Sequence, residues 1–165
     1  MIRKIDDFLA AWASLSEGTA RALDALTDAS LSQPVVADGR TLGRIAWHVV
    51  TSVPEMAFRT GLRFEAPSED APIPSAAEMA ATYRRLAKAL AEAVRREWTD
   101  ETLLVEDDMY GEKWPRGKTL SVLMDHEAHH RGQMTVLMRQ AGLVVPGVCG
   151  PSKEEWAAFG MPAPQ

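Results

Sequence analysis

Three features of the sequence predict an all-α protein, a four-helix bundle with a short C-terminal helix. Apolar residues recur at three- and four-residue steps through four long segments. No segment alternates apolar and polar residues in the manner of a strand. Glycines, prolines and capping residues fall between the four segments and bound them. Helices that each bury a single apolar stripe pack against one another as a bundle.

The first helix is expected over about 2–26, where Ile5, Phe8, Leu9, Trp12, Leu15, Ala22, Leu23 and Leu26 form the stripe and Gly18 is a weak point. Pro34 and Gly39 break the pattern, and the second helix follows over about 41–60, ending at Gly61. Pro54 lies inside it and predicts a kink, because its nitrogen carries no hydrogen to donate. The loop "EAPSEDAPIP" leads to Ser75, which with Glu78 makes a capping box and opens the third helix, running to about Trp98. The stretch "TDETLLVEDDMYGEKWPRG" reads as an irregular connection. The fourth helix spans about 119–141 and stops at Gly142; a second capping box, Ser152 with Glu155, opens the terminal helix bearing Trp156 and Phe159.

The bulk properties exclude several functions. With 165 residues the chain is read as one domain, 1–165, large enough to bury a core. A net charge of -5, with basic residues interleaved among acids as in "YRRLAKALAEAVRREW", argues against a nucleic-acid partner. The single cysteine, Cys149, allows no intrachain disulfide and fits a reducing, cytoplasmic location. No apolar run reaches the roughly 20 residues of a membrane span, and the N-terminus turns polar too early for a signal peptide.

The chain has four histidines, and three of them lie within five residues in "LMDHEAHHRGQMTVLMRQ". On a helix His126 and His130, four apart, project to one side, a spacing that suits two ligands of one ion. His129 is rotated about 60° from His126 and sits at the margin. Val122, Leu123 and Leu137 mark this side as facing the core. A third ligand is needed, and His48, between Ile45 and Val49 on the second helix, can supply it from a facing element. The alternative for each histidine is a polar or core imidazole satisfied by hydrogen bonds.

The block "HEAHHRGQMTVLMRQAGL" resembles the closing helix of the DinB-like (DinB/YfiT-like) family, in which a histidine pair is followed by Arg-Gly-Gln. "TLGRIAWHVVTS" is similar to that family's second-helix motif, and "VPGVCGPSKEEW" to tails of some members. The resemblance covers the whole chain. It implies a four-helix bundle, typically a homodimer, with a divalent ion (zinc, nickel or iron) on His48, His126 and His130. His129 does not match a ligand position and is expected either to stand behind the ligands or to lie on the surface; Gln133 is expected to orient a ligand from behind. Some relatives are S-transferases or isomerases using a low-molecular-weight thiol, and others have no known activity.

Three neutral histidines leave an ion its full charge and an open position, which favours a catalytic-type site over a closed structural one. Thiol transfer to an electrophile is the leading expectation. A hydrolase, and a non-catalytic or stress-related metal-binding protein, are the alternatives. "HEAHH" also satisfies the zinc-protease pattern H-E-x-x-H with His126, Glu127 and His130, but Glu127 points about 100° away from His126 and the downstream ligand is missing.

The remaining residues have packing roles first. Arg131 is expected to pair with Glu106, Asp107 or Asp108, and Gly132 to let another element approach. Trp47 reads as core, Tyr110 and Trp114 as loop or as walls of the site, and the methionines as core filler. Cys149 could reach an ion as a fourth ligand, although its place in the tail beside Gly150 and Pro151 argues against it, and Trp12 and Trp156 offer apolar area to bury.

Overall fold

The structure is a computed structural model that describes residues 1–68 and 70–163. Four long helices account for most of the chain: α1 (Ile5–Asp24), α2 (Leu42–Arg59), α3 (Ala76–Glu97) and α4 (Arg116–Gln140). α1 packs on α3 and α4, and α2 packs on α3 and α4, so α1 lies diagonal to α2 in the bundle. The link between them crosses one end through a 3₁₀ turn, Asp28–Ser32, laid against α2. α2 and α4 are therefore direct neighbours although α3 separates them in sequence.

Helix ends follow the capping chemistry. Thr41 accepts the Arg44 backbone N–H at 3.2 Å and starts α2. Ser75 and Glu78 form the reciprocal box that starts α3. The core is built from Phe8, Trp12, Leu23, Tyr83, Leu86, Leu90 and Leu123, all essentially sealed from solvent. Trp12 donates its indole N–H to the Ala87 carbonyl at 2.9 Å, so this tryptophan ties α1 to α3 and offers nothing to a partner. α2 runs unbroken through Pro54, which is buried.

The connection before α4 departs from the sequence expectation. A 3₁₀ turn, Glu101–Leu104, is followed by an antiparallel hairpin, β1 (Glu106–Met109) with β2 (Glu112–Pro115). Tyr110 and Gly111 make its two-residue loop at φ of 60° and 86°, the left-handed pair that matches strand twist. The Gly111 N–H donates to Asp108 Oδ1 at 3.2 Å. Glu106, Asp108, Glu112 and Lys113 are charged and exposed, so no apolar alternation marks these strands in sequence. α4 accordingly begins at Arg116, directly after β2. The terminal helix is one 3₁₀ turn, Trp156–Phe159, with Glu155 accepting the backbone N–H groups of Ser152 and Gly147.

Candidate metal centre

α2 is buried over nearly its whole circumference, and its open stripe runs Arg44, His48, Glu55, Arg59. That spacing is one helix face. It lies along the seam with α4, from which His126 and His130 project one turn apart. The three half-buried imidazoles converge: each offers a ring nitrogen within 4.8 Å of the others. Nε2 of His48 and Nε2 of His126 stand 3.1 Å apart, and the His126 and His130 ring centroids 4.4 Å. Tetrahedral Zn–N bonds of about 2.0–2.1 Å place ligand nitrogens ~3.3 Å apart, so the donor set suits a small divalent ion with little movement.

The second nitrogens decide which lone pairs face inward. His130 Nδ1 lies 2.7 Å from the Gln133 side-chain oxygen, to which it donates, leaving Nε2 with its lone pair toward the triad. Gln133 therefore fixes the orientation of the His130 ring. His126 Nδ1 is buried without a partner, so this ring is oriented by packing and by its Nε2 side alone. His129 is exposed and stacks edge-on against His130 at 4.9 Å, outside the converging group.

Electrostatics keep the triad neutral. Burial, then the charges of His130, His48 and His129, push His126 down to about 4. Burial lowers His48 and His130 as well; His130, Arg40 and Arg44 add to the effect on His48, and His129 and Arg40 to that on His130. Unprotonated imidazole is the form that ligates a metal, and the lowering of all three rings favours it at neutral pH.

The family relation follows from the whole chain. The DinB family model matches residues 1–164. The chain belongs to the DinB family. A Bacillus subtilis (strain 168) protein described as uncharacterized protein YrdA is 46% identical over 166 residues, spanning 100% of this chain and 99% of that protein. The crystal structure of a DinB-like protein from Bacillus cereus ATCC 10987 is similar at a TM-score of 0.86 and 48% identity, covering 90% of this chain and 99% of that one. A second DinB-like structure, YjoA of Bacillus subtilis, shares the fold at a TM-score of 0.67 with 21% identity over 86% of this chain and 96% of its own.

In this DinB chain the "HEAHHRGQ" block works in two directions. His126 and His130 face α2, whereas Glu127 and Arg131 point the other way and are 1% and 2% exposed. Glu127 Oε1 accepts from the Tyr83 hydroxyl at 2.5 Å and from Thr19 at 2.7 Å, joining α4 to α3 and α1. Burial raises its carboxyl above the usual range, and the hydrogen bonds from Tyr83 and Thr19 counter this only in part. Glu127 is thus no general base beside the triad, and the zinc-protease pattern in "HEAHH" is coincidental.

Arg131 corrects a second expectation. It does not reach the hairpin carboxylates; Asp107 is taken by Arg116 at 2.9 Å and Asp108 faces Lys113. Arg131 instead donates to the Leu15 carbonyl at 2.7 Å, to Thr19 at 3.1 Å and to the Cys149 sulfur at 3.2 Å. Cys149 is therefore committed to α4's far side and stands outside the triad. Gly132 has open space around it, whereas at Gly18 a Cβ would sit 2.8 Å from the Val148 carbonyl oxygen. Trp47 is buried core, and so are Met56, Met79, Met109, Met134 and Met138.

Tyr110 and Trp114 are expected from sequence as loop or as walls of the site, whereas Glu55 and Arg59, which join Tyr110 to α2, escape that reading. Glu55, two turns beyond His48, accepts from the Tyr110 hydroxyl at 2.7 Å and from Arg59 at 2.5 Å. Arg59 lies over the Tyr110 ring at 4.4 Å, and Trp114 meets that ring edge-on at 5.9 Å. The hairpin tip is thereby fastened to α2 at one end of the open stripe. The i+7 spacing of Glu55 from His48 was the available signal.

Proposed function

We propose that this protein is a metal-dependent enzyme that joins a low-molecular-weight thiol to an electrophilic small molecule, with His48, His126 and His130 holding a zinc, nickel or iron ion. The observation that carries it is the convergence of three neutral imidazoles and no fourth side-chain donor among the described residues, at a seam that is only half buried. Such an ion supplies Lewis-acid chemistry, taking a coordinated thiol or water toward its deprotonated form near neutral pH. The protein's own part is positional. Gln133 sets the His130 ring, the α2–α4 packing sets the spacing of His48 and His126, and the hairpin tip narrows the approach. Glu127 is buried away from the triad and the flanking carboxylate Glu55 is engaged by Arg59 and Tyr110, so neither is free to serve as a base for hydrolysis, which favours thiol transfer over the hydrolase reading.

Metal analysis by plasma mass spectrometry is the first test, on the wild type, His48→Ala and His130→Ala. About one ion per chain is expected in the wild type, with loss in both variants while helical circular dichroism is kept. Conjugation is then assayed across a panel of thiols and electrophiles. A stoichiometrically loaded protein that binds no thiol and conjugates nothing would establish the non-catalytic metal-binding alternative.

A further inference from the structure

At the N-terminal end of α2, on the other side of His48 from Glu55, the chain carries Arg40 and Arg44. Arg44 lies one turn before His48 on the open stripe of α2. Arg40 immediately precedes the capping residue, and its backbone is fixed: its carbonyl accepts the Val35 N–H at 3.1 Å, beside the Pro34–Thr41 bridge. Both side chains are exposed. Among the described residues neither guanidinium has a carboxylate within ion-pair distance.

Two unpaired like charges beside a cation site are unfavourable in isolation. Arg44 and His48, four residues apart on α2, share one face of the helix, which sets the exposed Arg44 guanidinium beside the open side of the triad. The nearest compensating charge on the stripe, Glu55, is already engaged by Arg59 and Tyr110. The whole chain is acidic at a net charge of -5, so this positive corner is local. An arrangement of this kind becomes favourable when an anion enters it, and planar guanidinium groups match a carboxylate best.

We propose that Arg40 and Arg44 form a carboxylate-binding wall of the triad site, so that the small molecule presented to His48, His126 and His130 carries a carboxylate near its reacting end. This rests on the metal-site reading for the identity of the neighbouring group, while the arginine pair can be probed without an ion.

Two titrations separate the claims. In the first, cobalt-loaded protein is titrated with 3-mercaptopropionate and with the neutral 3-mercaptopropanol, followed by the sulfur-to-cobalt absorption band. The acid is expected to bind about tenfold more tightly than the alcohol, the size of one charge-assisted contact at a partly solvated site. The Arg40→Gln/Arg44→Gln double variant should lose that preference, with cobalt stoichiometry and the affinity for the alcohol unchanged. In the second, propionate and propionamide are added to the metal-free protein and the His48 and His130 ring signals are followed by NMR. Propionate should move them in the wild type and not in the double variant, and propionamide in neither.

Equal affinity for the two thiols, or a preference that survives the double substitution, overturns the proposal while leaving the metal site standing. Propionate-specific shifts in a protein that takes up no cobalt would support the arginine wall and sink the metal reading. Absence of any propionate-specific shift in a folded, metal-free protein counts against the wall on its own.

Discussion

Glu127 shows how a single residue can be misassigned by its neighbours in sequence. Flanked by histidines, it looks catalytic; its carboxylate instead accepts from Tyr83 and Thr19 in the interior. Glu127→Ala leaves those hydroxyls without an acceptor and should cost about 3 kcal/mol in chemical denaturation. Glu127→Gln, which keeps an acceptor oxygen, should cost about 1 kcal/mol. Metal stoichiometry should be unchanged in Glu127→Gln. His126 makes the complementary pH prediction. Unfolded, it titrates near 6.5; folded, it is held down to about 4. The folded state therefore resists a proton that the unfolded state accepts, so metal-free protein loses stability as pH falls from about 6.5 to about 4. Glu127 acts with the opposite sign, its raised carboxyl losing stability as pH rises through its own range. The histidine part is isolated by comparing the wild type with His126→Gln, whose melting temperature should vary less across that window. The histidine triad was legible because i,i+4 spacing is a geometric statement independent of partners. The Glu127–Arg131 pair has the same spacing and was not recognised, because charged residues are normally assigned to the surface.

At the scale of elements, the four helices could be read to within a few residues because Thr41, Ser75 and Gly142 mark their limits chemically. The hairpin could not. Its strands are four residues long, carry charges on their open side and gain their apolar contact through Met109 and the partly buried Trp114, so period-two patterning never develops. The tail was misjudged in a different way: Gly18 was taken for a defect in α1, but it is the place where residues 147–149 cross the helix. Gly18→Ala would drive a methyl group against the Val148 carbonyl and the Arg131 guanidinium, at 2.8 and 3.1 Å. The expected result is a loss of about 1–3 kcal/mol with earlier proteolytic cleavage beyond α4, while metal uptake persists. An unchanged cleavage pattern would mean that the tail is held from elsewhere.

For the molecule as a whole, the bundle buries an extensive apolar core without the triad, which contributes no residue to it. Removal of a bound ion by chelation should accordingly lower the melting temperature while far-UV circular dichroism at 25 °C stays helical. A collapse to coil would instead make the ion a structural requirement. No helix among the described residues is long and apolar enough to cross a membrane. The homodimer implied by the family resemblance is an expectation for light scattering, which should return twice the chain mass.

His48 and His126 are 78 residues apart, with all of α3 and a proline-containing stretch between them. An ion shared by them would be a stitch between two halves of the polypeptide that meet only when the fold is complete. If a protease nicked the chain between α2 and α3, one fragment would carry His48 and the other His126 and His130. The two would then hold together by core packing plus that stitch. Reassembly of separately produced halves should be strengthened by zinc and weakened by a chelator, making fragment complementation a reporter of metal binding that needs no substrate.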